Sequence, residues 1–255
     1  MRREAVPRRR RRGGAFVLAV SVLTALAGIA APRARQAAPG EFRQTFDSMQ
    51  DVEAAFTLSS WSNTNRSHSP ANVTVKDGVL QLKLSASPPG TLPVCAEIAS
   101  RRSDFTYGTY RASIKMSSVP GAVVGWFTYL GRPLNEIDVE FLTRDPRLAH
   151  FTLHHIQTGV DHGRKEVAFD PSAAFHEYRF DWHPDRVEYY IDGEPAAALT
   201  KQVPDMPSRL MLNHWSGNIP TFGGPAPTED AVMQVDWIYY SPDYKAPADL
   251  AVVNR

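Results

Sequence analysis

The chain has 255 residues, a formal net charge of +1, one cysteine, twenty prolines and sixteen glycines. The charge is uneven: nine of the 28 Lys+Arg residues and a single acid, Glu4, fall in residues 1–35, leaving 19 basic and 26 acidic residues from Gln36 onward, a net of −7. An acidic body excludes nucleic acid as a partner, because phosphate binding needs a basic face. One cysteine excludes an internal disulfide and any cysteine-cluster metal centre.

Residues 1–14 are dominated by arginine and lead into the apolar run Ala15–Ala31, then into the breaker segment Pro32–Gly40. A basic start, an apolar stretch and small residues at its end predict a secretory signal peptide over residues 1–35. The alternative is an uncleaved anchor, since the run sits at the lower edge of what spans a bilayer. Either route delivers the remainder outside the cytoplasm, and cleavage leaves it with no membrane attachment. One folded domain is expected over residues 36–242, with residues 243–255 as a peripheral tail.

From Phe42 onward, short runs with strand character alternate with turn signals. Val79–Leu84 alternates apolar and polar residues as a half-buried strand does. Further strands are predicted over Tyr107–Met116, Val123–Leu130, Glu136–Leu142, Ala149–Gln157, Glu177–Trp182, Arg186–Ile191, Arg209–Asn213 and Val232–Tyr240. Asp77-Gly78 and Asp192-Gly193 offer the left-handed positions that tight hairpins require. No amphipathic stretch exceeds two helical turns. Roughly a dozen strands over the body predict one all-β sandwich or jelly roll, with the Pro- and Gly-rich loop Ile219–Thr228 overhanging one sheet face.

The segment Asn135-Glu-Ile-Asp-Val-Glu-Phe141 carries the chemistry. In a strand, residues two apart share a face, so Glu136, Asp138 and Glu140 point one way and Ile137, Val139 and Phe141 the other. Three acids side by side repel one another, which packing alone would not call for. Glycosidic hydrolysis does: it takes one carboxylate as nucleophile and a second, proton-bearing carboxyl as acid. Crowding helps keep one of them protonated near neutral pH. In a flat strand residues four apart lie ~13 Å from each other, so both glutamates must lean inward over Asp138 on a curved sheet. A solvent-facing acidic strand that keeps an edge soluble is the alternative reading.

Glu136-Ile-Asp-Val-Glu-Phe-Leu142 resembles the acidic strand of glycoside hydrolase family 16, specifically its lichenase-like members, the endo-β-1,3-1,4-glucanases. Gly40–Ser48, Cys95-Ala-Glu97, Tyr107–Tyr110, Phe127–Gly131, Phe175–Trp182, Tyr190–Gly193, Leu212–Gly217 and Val235–Tyr239 follow in the family order. The resemblance implies a β-jelly-roll sandwich of the concanavalin A-like type with a cleft on its concave face. It implies Glu136 as nucleophile, Glu140 as acid and base, and Asp138 tuning the pair. It further implies sugar contacts from Trp61, Asn63, Glu97, Phe127, Tyr129, Asn213 and Trp215, and, if His154 faces the cleft, a donor to a sugar hydroxyl or to Glu136. His155 would then point into the opposite layer. The spacing before Glu140 lacks the extra residue with which laminarinase-like members form a bulge, which favours the lichenase and transglycosylase branches.

Three departures from the family pattern stand out. Cys95 has no second cysteine to pair with. Ala99 replaces an arginine expected two residues after Glu97, for which Arg101 or Arg102 could substitute. Leu134 replaces the tryptophan before the acidic strand. No cofactor is implied for catalysis, but a structural calcium is, held by the Asp236 carboxylate and the backbone carbonyls of Thr45 and Gly78. The function expected is a secreted, monomeric endo-acting β-glucan hydrolase that retains configuration, with a polysaccharide as its only partner. A cell-wall transglycosylase and a non-catalytic carbohydrate-binding protein are the alternatives.

Overall fold

The computed structural model describes residues 40–156 and 159–244, so the expected signal segment, Gln157 and most of the tail lie outside the described residues. Among the described residues, sixteen strands and one short α-helix make up the body, with a single 3-10 turn at Pro70–Asn72. They are β1 (Phe42–Gln44), α1 (Met49–Ala55), β2 (Phe56–Leu58), β3 (Ser67–His68), β4 (Val73–Lys76), β5 (Val79–Leu84), β6 (Val94–Ser100), β7 (Gly108–Lys115) and β8 (Val123–Gly131). There follow β9 (Leu134–Leu142), β10 (Leu148–His155), β11 (Gly159–Glu166), β12 (His176–Trp182), β13 (Val187–Ile191), β14 (Glu194–Leu199), β15 (Arg209–Trp215) and β16 (Ala231–Ser241).

Two eight-stranded sheets result. One runs β14-β13-β12-β7-β16-β5-β4 with β1 against β16; the other runs β11-β10-β9-β8-β15-β6-β2 with β3 against β6. Every pairing is antiparallel except β3 with β6. The expected hairpins form: Asp77-Gly78 joins β4 to β5 and Asp192-Gly193 joins β13 to β14, all four residues at positive φ. Paired positive φ values give the turn whose twist matches that of its strands.

Alternation along each strand drives the sheets together. Ile137, Val139 and Phe141 of β9 are buried in the interlayer core with Trp126, Phe151, Tyr178, Phe180 and Tyr189. Aromatic rings bridge the layers, Phe141 to Tyr178 at 5.4 Å and Phe151 to Tyr189 at 4.4 Å between centroids. His214 of β15 spans the gap too, its Nδ1 lying 2.9 Å from the Leu82 carbonyl of β5. Burial lowers its pKa to about 4, so this is a neutral core histidine. Cys95 is buried and unpaired, and burial pushes its thiol up to about 11.

What the core side of the second sheet fixes, its other side inherits. Cross-strand register places Arg164, His150, Glu140, Gly125, Asn213 and Glu97 in one row across β11, β10, β9, β8, β15 and β6. A second row holds His162, Thr152, Asp138, Phe127, Met211 and Ala99, and a third Val160, His154, Glu136, Tyr129 and Arg209. These residues alternate with core residues, so they occupy the outer face. The Ile219–Thr228 loop overhangs that face: Phe222 lines a small cavity with His150, Thr152, His162 and Arg164.

Candidate active site

A cavity of about 480 Å³ opens on the outer face of the second sheet, lined by Trp61, Arg66, Glu97, Phe127, Tyr129, Glu136, Asp138, Glu140, Met211, Asn213 and Trp215. The three acids of β9 sit together on its floor. Pairing of β9 with β8 and β10 continues without a register shift, so no bulge separates them.

Crowding and burial set their protonation. Asp138 is only 5% exposed. Burial first, then the charges of Glu136 and Glu140, hold its carboxyl well above the usual carboxylate range. It therefore keeps a proton, which it shares in a hydrogen bond with Glu136. Burial also raises both glutamates to about 7. For Glu136 the Asp138 hydrogen bond opposes that rise and the Glu97 charge adds to it; for Glu140 the Glu136 charge adds to it. The two titrate as a pair, so near neutral pH the site can hold one carboxylate and one protonated carboxyl together.

The walls are held by a polar scaffold. Glu97, 6% exposed, accepts from Ser59 Oγ at 2.7 Å and from Trp61 Nε1 at 2.9 Å. Those bonds fix Trp61 with 41% of its surface exposed, and buried His68 packs against its ring, centroids 4.1 Å apart and planes tilted by 38°. Gly125 is needed beside Glu140, since a Cβ there would lie 2.4 Å from Asn213 Oδ1. Burial and then the Glu136 charge raise the Tyr129 phenol, so it stays a hydrogen-bond donor.

One expected residue is placed elsewhere. Asn63 does not line the cavity. Its Oδ1 accepts from the backbone N–H groups of Asn65 at 2.8 Å and Arg66 at 3.0 Å, an Asx turn in place of the expected sugar contact. His154 stands opposite Glu136 on the same outer face, its Nε2 3.5 Å from Asp138 Oδ2, and burial lowers its pKa so that it is neutral at pH 7. Its ring nitrogen and the carboxyl oxygens of Asp138 and Glu136 lie within 4.8 Å of one another, so it stands beside both acids. His155 turns away from this face toward Asp205, at 3.4 Å.

Neither Arg101 nor Arg102 fills the gap left by Ala99. Arg101 donates to the Glu53 carbonyl, and Arg102 pairs with Asp104 and stacks on Phe105. Arg66 enters the cavity instead, its guanidinium 4.1 Å from the Trp215 ring and 5.5 Å from that of Trp61. Met211 also lines the cavity; two residues before Asn213 on one strand, it was legible from parity alone.

For calcium, Gln44 pairs with Ile238 and Leu80 with Val235, so Thr45 and Gly78 lie just beyond those pairs. Asp236 falls between them, at the irregularity where the pairing of β16 with β7 skips from Val235 to Trp237. The Asp236 carboxylate is buried, and a carboxylate with backbone carbonyls is a hard-oxygen donor set of the kind calcium takes. Asp181, His183 and Glu188 also approach one another. There, Arg179 already pairs with Asp181 and Arg186 with Glu188, a cationic setting that fits no metal.

The sequence profile of the glycosyl hydrolases family 16 matches residues 60–239. The chain belongs to this family. Among curated relatives, a β-glucanase of Acetivibrio thermocellus is 33% identical over 179 residues, covering 68% of this chain and 52% of that protein. The chain thus spans about half the length of that relative. A β-glucanase of Paenibacillus polymyxa is 32% identical over 174 residues, covering 65% of this chain and 71% of that protein. Among solved structures, a prokaryotic β-1,3-1,4-glucanase (lichenase) from a mouse hindgut metagenome superposes with a TM-score of 0.73 at 29% identity, covering 79% of this chain and 99% of its own. The jelly-roll sandwich expected from the resemblance is therefore the fold of this family 16 chain.

The raised carboxyls of this family 16 site carry a stability signature. Folded Glu136 holds its proton up to about 7, while an unfolded glutamate releases it near ~4.3. Between those values the folded state binds more protons, so stability falls as pH rises. Glu136→Gln is expected to raise the melting temperature at about pH 8 by a few degrees, with the gain shrinking toward about pH 4. Calorimetric scans across that range check this, and a loss of stability at the higher pH would contradict it.

Proposed function

We propose that this chain is a secreted, monomeric endo-β-glucanase that cleaves mixed-linkage β-1,3-1,4-glucan or β-1,3-glucan with retention of configuration. In this reading residues 1–35 are removed as a signal peptide and residues 36–242 form the catalytic domain. The observation that carries it is the cavity floor on which Glu136, Asp138 and Glu140 stand together, both glutamates raised to about 7, so that Glu136 can act ionised beside a protonated Glu140.

The chemistry follows from that division. Glu136 attacks the anomeric carbon while Glu140 gives its proton to the leaving oxygen, so the glycosidic bond breaks as a glycosyl ester forms. Glu140, now a carboxylate, takes a proton from water as the water oxygen attacks the same carbon. The ester breaks, Glu136 is released and Glu140 is protonated again. His154 beside Asp138 and Tyr129 beside Glu136 orient the acids, while Trp61, Phe127 and Trp215 bring apolar faces and Glu97 and Asn213 polar groups to the sugar. No cofactor enters either step.

The decisive experiment is a polysaccharide panel of mixed-linkage β-glucan, β-1,3-glucan, xyloglucan, agarose and chitin, with products sized and the first-formed anomer read by NMR. Short oligosaccharides from a β-glucan, released first as the β-anomer and lost in Glu136→Gln, are expected. Binding without new reducing ends would favour a carbohydrate-binding protein, and lengthened products in the presence of oligosaccharide acceptors would favour a transglycosylase.

We also propose that Asp236, with the carbonyls of Thr45 and Gly78, binds a structural calcium. Calcium added after chelation should raise the melting temperature of the wild type and leave Asp236→Ala unmoved. An equal response in both would remove the ion from that position.

A further inference from the structure

We propose that the cleft selects a β-linked glucan bearing carboxylate groups, and that Arg66 reads the carboxylate. This rests on the hydrolase reading above and names its substrate class.

Arg66 is held rather than free. Ser62 bridges to Ser67, the Asn63 N–H donates to the Arg66 carbonyl at 2.9 Å, and Asn63 Oδ1 caps the turn from within. The guanidinium lies 4.1 Å from the Trp215 ring centroid, with Trp61 at 5.5 Å. Both indoles line the same cavity as Glu136 and Glu140, and so does Arg66. Elsewhere the partly buried guanidiniums of Arg111 and Arg179 end on Glu177 and Asp181. Arg66 has no such carboxylate partner among the described residues, and its Nε is buried without an acceptor.

A guanidinium that lines the cavity beside an indole can turn an edge of donors toward it. That edge is a fixed fork, which matches the two oxygens of a carboxylate and which an ammonium cannot imitate. A neutral glucan drawn over Arg66 would strip water from the charge without returning an ion pair, and a buried unpaired charge is costly. A sugar carrying a carboxylate returns the pair.

The far side of the cleft carries a second cation, Arg164, beside a His150 that burial and the Arg164 charge keep neutral. His150 and Arg164 continue the Glu140 row, and with His162 and Phe222 they line a cavity of about 170 Å³ that has no acidic lining residue. His150 Nε2 is buried there without a partner. These positions stand out against a body whose net charge from Gln36 onward is −7.

Three substrates of one backbone test the proposal: mixed-linkage β-glucan, the same polymer with part of its C6 hydroxyls oxidised to carboxylates, and the methyl ester of that oxidised polymer. For the wild type, kcat/KM on the acid form is expected to exceed that on the ester by about ten-fold or more, carried by KM and weakened by salt. Arg66→Met, which keeps an apolar stem over Trp215, should bring the ratio close to one, and Arg66→Lys should leave it in between. Equal wild-type turnover of acid and ester, or a preference untouched in Arg66→Met, overturns the proposal while the glucanase reading stands. Failure to cleave any of the three sinks the glucanase reading, and this proposal with it.

Discussion

A single proton on Asp138 organises the cleft. Three carboxyl groups on alternate residues of one strand cannot all ionise in a buried site, because burial penalises each charge and each charge penalises the others. The most buried of them, Asp138, keeps its proton. Placed between the two glutamates, it hydrogen-bonds Glu136, an asymmetry that burial, which raises both glutamates to about 7, does not itself supply. His154 adds a neutral neighbour, its Nε2 3.5 Å from Asp138 Oδ2.

The sandwich serves this arrangement through parity. Ile137, Val139 and Phe141 are locked into the interlayer core, and the acids between them have no other face to occupy. Register then fixes their neighbours: Gly125 gives Glu140 and Asn213 room, Tyr129 flanks Glu136, and Phe127 lies beside Asp138. Adjacent strands lie about 4.8 Å apart, so Glu97 on β6 stands roughly 14 Å from β9. The groove therefore runs across the strands, with room for more than one sugar ring on the Trp61 side.

Much of this was legible in the sequence, for identifiable reasons. Strands with one face in the core and one in solvent, such as β5 and β9, announce themselves by alternation. β6 does not, because nearly all of Val94–Ser100 is buried, and β11 does not, because Gly159–Glu166 is polar and exposed on both faces. The acidic strand was readable because its pattern is a period-two chemistry held on a period-two scaffold. Arg66 was not, since it reaches the cleft through a turn whose shape depends on the Asn63 side chain and carries no periodic signal. The same turn explains why Asn63, placed by resemblance among the sugar contacts, serves the loop, and why the arginine missing at Ala99 is answered from another part of the chain.

The location of the protons is the most direct test of this account. A neutron structure of the deuterated protein near neutral pH would show them as nuclei. The expected result is a deuteron on Asp138 directed at Glu136, a second on Glu140, and none on Glu136. A bare Asp138 between two protonated glutamates, or a deuteron on Glu136 with Glu140 ionised, would contradict the division of labour on which the glucanase reading rests.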